Sequence, residues 1–127
     1  MRRRRATTWL AGLLALCFAA AAFGRDPLEQ REIDYLIESI AALPQAHFVR
    51  NGAEFDARQA ADHLRMKLRR AGERVATADD FIVYCASGSS VTGQKYLIRF
   101  ADGRRIEAAR FLREQLTAYR AREGHGG

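Results

Sequence analysis

Asp56-Ala57-Arg58-Gln59-Ala60-Ala61-Asp62-His63-Leu64-Arg65-Met66-Lys67-Leu68-Arg69-Arg70-Ala71-Gly72 reads as one helix with both ends written into it. Asp56 is a capping residue, and Gln59, three positions on, completes a capping box. Phe55, just before the cap, is placed to staple against Ala60. Ala57, Ala60, Ala61, Leu64, Leu68 and Ala71 recur at the three- and four-residue spacing of a buried helical face. Gly72 is a stop signal. At roughly 100° per residue, His63 and Lys67 share one shoulder of this stripe, and Met66 is expected on the opposite side.

Upstream, Asp26-Pro27-Leu28-Glu29 supplies a cap, a proline suited to the first helical position, and an acid placed to reach back to the cap. Ile33, Leu36, Ile37 and Ile40 give that helix one apolar face, and Pro44 ends it. His47-Phe48-Val49-Arg50-Asn51-Gly52 is expected to be a connector that turns at Asn51-Gly52.

Downstream, Thr77-Ala78-Asp79-Asp80 opens a third helix with Ala78, Phe81, Ile82 and Cys85 facing inward. A loop of small polar residues, 87–93, follows. Tyr96, Ile98 and Phe100 alternate with Leu97 and Arg99 as in a half-buried strand. Asp102-Gly103 turns the chain into a return strand around Arg105-Ile106. A last helix begins near Glu107 and carries Ala108, Leu112, Leu116 and Tyr119 on one stripe, with residues 123–127 expected to fray. The expected fold is α+β, mainly α: about four helices with one β-hairpin between the third and the last, in a single small domain over residues 25–122.

The 127 residues hold 21 Lys/Arg against 15 Asp/Glu, a net charge of +6. Four of those bases are Arg2-Arg3-Arg4-Arg5, directly before the apolar run from Trp9 to Phe23. A positive start, a short apolar run and small residues at its end make a cleavable export signal. The run is too short to span a bilayer, which takes about 20 residues. Cleavage is expected before Phe23 or before Arg25, giving a periplasmic or secreted protein with no transmembrane segment once the signal is removed. Leu14-Ala15-Leu16-Cys17 resembles a lipoprotein box, spoiled by the bulky Leu16. Removing residues 1–24 takes four arginines and no acids, leaving 17 bases against 15 acids, a net charge of +2 over 103 residues. Nucleic acid is therefore not an expected partner: Arg65, Lys67, Arg69, Arg70 and Arg74 spread around one helix and read as a solvated face.

No constellation of motif quality marks an enzyme. His47, His63 and His125 are far apart and no metal-ligand pair spacing exists, so neither a metal nor a cofactor is expected. Cys85 lacks a basic neighbour or a second cysteine and reads as a buried small hydrophobe. Asp79 and Asp80 read as first-turn helix acids. What remains is a polar set that folding could gather, as a hydrogen-bond network or as a ligand groove: Arg50, Asn51, His63, Lys67, Ser87, Ser89, Ser90, Thr92 and Tyr96. In the network reading, His63 fixes the loop after the third helix by bonding a hydroxyl or carbonyl.

Four blocks carry a resemblance. Phe48-Val49-Arg50-Asn51-Gly52, Ala60-Ala61-Asp62-His63-Leu64-Arg65-Met66-Lys67, Thr77-Ala78-Asp79-Asp80-Phe81-Ile82 and Ala86-Ser87-Gly88-Ser89-Ser90-Val91-Thr92-Gly93-Gln94-Lys95-Tyr96 are similar to the YfeK-like bacterial secreted proteins, a domain of unknown function. The resemblance runs from about Glu32 to Leu116. It implies a small exported protein, sometimes a lipoprotein, with no assigned activity. Tyr84-Cys85-Ala86-Ser87-Gly88-Ser89 with Tyr96 also resembles the Ser-Gly loop of periplasmic lysozyme inhibitors, which are β-barrels, whereas the capped periods here are helical.

The leading expectation is an exported, non-enzymatic binding or interaction module. Its surface lies around Arg50, His63 and the 87–93 loop, and its partner is an unidentified envelope protein or small ligand. The alternatives are a small hydrolase with His63 as base and a loop serine as nucleophile, or a loop binder like the lysozyme inhibitors.

Overall fold

The structure, a computed structural model, describes residues 24–125. The expected leader up to Phe23, including Cys17, lies outside the described residues. Helix α1, Pro27–Ala41, starts as its sequence dictates: Asp26 accepts from the Leu28 amide and Pro27 takes the first turn. Ile33, Leu36, Ile37 and Ile40 are buried as one face. Glu29 does something other than expected. Instead of closing its own cap, its carboxylate accepts from the Ala78 amide at 2.7 Å and so caps a neighbouring helix.

Residues 47–52, expected as a connector, form a hairpin. Strand β1, His47–Arg50, pairs antiparallel with β2, Ala53–Asp56, through a two-residue turn. Asn51 and Gly52 both have positive φ, 51° and 78°, which is the turn that the twist of a tight hairpin favours. Asp56 ends β2 and at once caps helix α2, Ala57–Ala71, with both bonds of its capping box formed. Ala60, Ala61 and Leu64 of α2 are buried, and Gly72, at φ 52°, closes the helix as its C-cap.

Thr77 and Asp80 form the second capping box, at the start of helix α3, Ala78–Phe81. The helix then widens into a π-turn, Ile82–Ala86, rather than continuing as α. The widening leaves its inner face intact: Ala78, Phe81, Ile82 and Cys85 are all essentially inaccessible. Strands β3, Leu97–Arg99, and β4, Arg105–Glu107, form the hairpin expected before the last helix. Helix α4, Ala108–His125, continues past Glu123, where fraying was expected.

The two hairpins join through β1 and β3 into one antiparallel sheet of order β2-β1-β3-β4. The class is α+β, mainly α, but the single expected hairpin is half of a four-stranded sheet. Phe48 and Ile98, paired across the central strands, are buried, as are Leu112 and Leu116 of α4. Each such side chain contributes about 1.5–3 kcal/mol by leaving water. At the outer surface, Arg120 of α4 holds Glu32 of α1 in a two-point contact and also reaches Asp79. Among the described residues no helix is long and apolar enough to cross a membrane.

Candidate functional site

Strand β1, helix α2 and the loop after the π-turn meet at one place. Arg50 ends β1, His63 and Lys67 lie one turn apart on α2, and Tyr96 precedes β3. One guanidinium nitrogen of Arg50 is 2.9 Å from Nδ1 of His63 and 3.0 Å from Nε2. Burial of the ring, then the charges of Arg50, Lys67 and Arg70, hold His63 below its ordinary titration range. The imidazole is therefore neutral at pH 7 and carries one ring proton. Arg50 can only donate, so the ring meets it as an acceptor. Nε2 also faces the Tyr96 hydroxyl across a long 3.4 Å contact.

Lys67 ties the helix to the loop. Its Nζ donates to the Gly88 carbonyl and to the Tyr96 hydroxyl, both at 3.0 Å, and also lies 4.9 Å from the Tyr96 ring centre. Of the role expected of His63, bonding a hydroxyl or carbonyl to hold the loop, the carbonyl bond belongs to Lys67, while His63 touches the Tyr96 hydroxyl. The phenol oxygen thus accepts from Lys67 and also touches the His63 ring. The loop has its own knot. Ser89, a buried polar residue, accepts at Oγ from the amides of Val91 and Thr92 and from Asn51 Nδ2, each at 3.2 Å. Thr92 in turn donates to Asn51 Oδ1. The hairpin turn and the loop are therefore fastened together.

Two cavities open on either side of this junction and share Arg50, His63 and Tyr96. One, of about 310 Å³, runs between the sheet and α2. Its floor is apolar, with Ile40, Phe48, Leu64 and Ala86, and its rim carries Phe55, Gln59 and Asp62. Arg50 also stacks over the Phe55 ring, 4.9 Å from its centre. The other, of about 580 Å³, is bordered by Arg50, Lys67, Arg70 and Arg74, with Tyr84, Ser90 and Val91 at its edge. The ion pairs of the described residues take up Arg65, Lys95, Arg99, Arg104, Arg110 and Arg120, and none of the four cations at this cavity. Among the described residues no group of three His, Cys, Asp or Glu side chains is placed to hold a metal ion.

The family model for DUF5329, a family of unknown function, matches residues 27–120, which takes in every element from α1 into α4. The chain belongs to the DUF5329 family. Over 68 residues it is 38% identical to the uncharacterised protein YfeK of Salmonella typhimurium, a span of 54% of this chain and 57% of that protein. The expected kinship with YfeK-like proteins is thus established. No solved structure matches the chain significantly.

Of the nine expected site residues, seven converge in two bonded groups: Arg50, His63, Lys67 and Tyr96, and beside them Asn51, Ser89 and Thr92. Ser87 turns away and donates to the Ile82 carbonyl at 2.7 Å, closing the π-turn. Ser90 is exposed at the cavity edge. The hydrogen-bond partners of His63 are Arg50 and Tyr96, and no nucleophile–base pair with a loop serine is formed. The open sheet also differs from the barrel of the lysozyme inhibitors.

Two features escaped the sequence reading. Met66, expected on the far side of α2, lines the cationic cavity, because it lies three positions from His63 and four from Arg70. Arg70 and Arg74 border the site rather than merely facing solvent. The signal was present in part: His63, Lys67 and Arg70 repeat at four and three on one stripe of α2, and Arg74 follows just past the Gly72 cap. Arg65, in contrast, points the other way to Glu38 and Asp62.

Proposed function

We propose that this DUF5329 chain is an exported, non-enzymatic binding module, and that its ligand sits in the paired cavities around Arg50, His63 and Tyr96. One observation carries the reading: four cations ring a concave surface with no carboxylate paired to any of them. Elsewhere acids match several cations, as Glu54 does Arg99 and Glu32 does Arg120, whereas these four gather unpaired at one cavity. An unmatched group in a cleft is the arrangement of a binding site. The fixed loop supports the same reading, since Ser89, Asn51 and Lys67 hold the rim in place before any ligand arrives. Export is part of the proposal and rests on Arg2 to Arg5 followed by the apolar run to Phe23.

The test is a thermal-shift screen of protein recovered from the periplasm against small-molecule fractions of the cell envelope. At least one fraction should raise the melting temperature of the wild type and fail to do so for the Arg70→Glu/Arg74→Glu variant. If no fraction stabilises the protein, the binding reading falls. An intact mass that retains Arg2 to Arg5 would sink the export claim.

A further inference from the structure

We infer that the ligand is a single-chain amphipathic anion: a carboxylate head in the cationic cavity, and an apolar chain or ring in the adjoining cavity between α2 and the sheet. This deepens the binding reading above and rests on it. The two cavities differ in kind yet share a wall, made of Arg50, His63 and Tyr96. A wholly polar anion would leave the apolar floor empty, and a plain hydrocarbon would leave the cations unmatched. A molecule with both parts satisfies both sides.

The donor arithmetic points the same way. Around the shared wall, Arg50 and Lys67 can only donate, and the Tyr96 oxygen already accepts from Lys67. Arg70, exposed on the same helix, and Arg74, exposed just past its Gly72 cap, add two further positive charges. The acid at the rim of the apolar cavity, Asp62, is already engaged by Arg65 at 3.0 Å. A guanidinium fork is suited to a planar carboxylate. The apolar cavity, about 310 Å³, lies at the bottom of the roughly 300–1,000 Å³ range of small-ligand sites. It therefore has room for one short acyl chain or one ring, not for the paired chains of a diacyl lipid.

Titration calorimetry with octanoate, 1-octanol and acetate tests this. Octanoate should bind saturably and about ten-fold or more tightly than either partial probe, the equivalent of about 1.4 kcal/mol. The Arg70→Glu/Arg74→Glu variant, changed only at exposed positions, should weaken octanoate about ten-fold and leave 1-octanol unaffected. Phosphatidylglycerol vesicles should bind no better to the wild type than to this variant, since a bilayer-held diacyl lipid cannot occupy the cavity. The inference is overturned if octanoate binds no better than 1-octanol, if acetate matches octanoate, if the charge reversal leaves octanoate unchanged, or if vesicles are the preferred probe. The wider binding reading survives any of these results so long as an envelope fraction still raises the melting temperature. If no probe binds and no fraction stabilises, both fall.

Discussion

Arg50 and His63 are joined at 2.9 Å, one at the end of a strand and the other in the middle of the next helix. Neither side chain is fully buried, yet the contact fixes the angle between the first hairpin and α2. A cation resting on an imidazole is stable only while the imidazole stays neutral. His63 therefore acts here as an acceptor, which gives it a structural role.

His63→Ala should lower stability by about 1–2 kcal/mol in urea denaturation, the typical cost of removing one partner of a partly buried hydrogen bond to a charged group. The variant should also lose any ligand-induced thermal shift. A variant that is both as stable as the wild type and fully competent to bind would leave His63 without a role.

Acid should weaken the fold through the same residue. The folded imidazole titrates below the ordinary 6.5, because of burial and then Arg50, Lys67 and Arg70. The unfolded chain thus takes up this proton more readily than the native one. Stability from His63 is fully present above about pH 6.5 and declines as pH falls from there through the lowered native value. In His63→Gln this part of the urea-midpoint pH profile should be flat. An unchanged profile would show that other groups dominate.

Gly88→Ala should cost about 1–3 kcal/mol, in the range of overpacking. A Cβ on Gly88 would stand 2.8 Å from the Gln94 carbonyl oxygen, a backbone atom held in place by the Ser89 amide. The loop would have to open, and the Lys67–Gly88 bond would lengthen with it. Circular dichroism melts measure the loss, and octanoate titration should show weaker binding in parallel.

Cys85 should not react with iodoacetamide in the native protein and should label fully in denaturant. It is buried, and burial pushes its thiol above the ordinary range although Lys67 and Arg25 pull the other way. Labelling at a native rate near that of a free thiol would place Cys85 outside the core.

The helices were legible in the sequence because their ends are local events. Asp56 with Gln59 and Thr77 with Asp80 are decided within four residues, and both boxes form. The sheet was half legible. Asp102-Gly103 lies between residues that alternate, whereas Ala53-Glu54-Phe55-Asp56, although it alternates, is only four residues long and buries almost nothing. Its strand character comes from pairing with β1, which is a tertiary fact. The π-turn was hidden for a similar reason, since Ser87 stabilises it by reaching back to Ile82 and no residue type signals that in advance. At the site, the polar residues were recognised as a set, but their partners were not. Only the fold reveals that Lys67 holds the loop and that Glu29 caps α3 from another helix.

The seam between β1 and β3 has a consequence for how the protein comes to be competent. Each hairpin closes on itself within a few residues, but the seam joins segments that lie on opposite sides of α2 and α3 in the chain. Pairings of such range form late, after local structure. Arg50 belongs to the first hairpin and Tyr96 borders the second, so the two halves of the wall meet only when the seam has closed. The occupant proposed above would act there as a rivet. It would slow separation of the hairpins, and only chains that have finished folding would accept it.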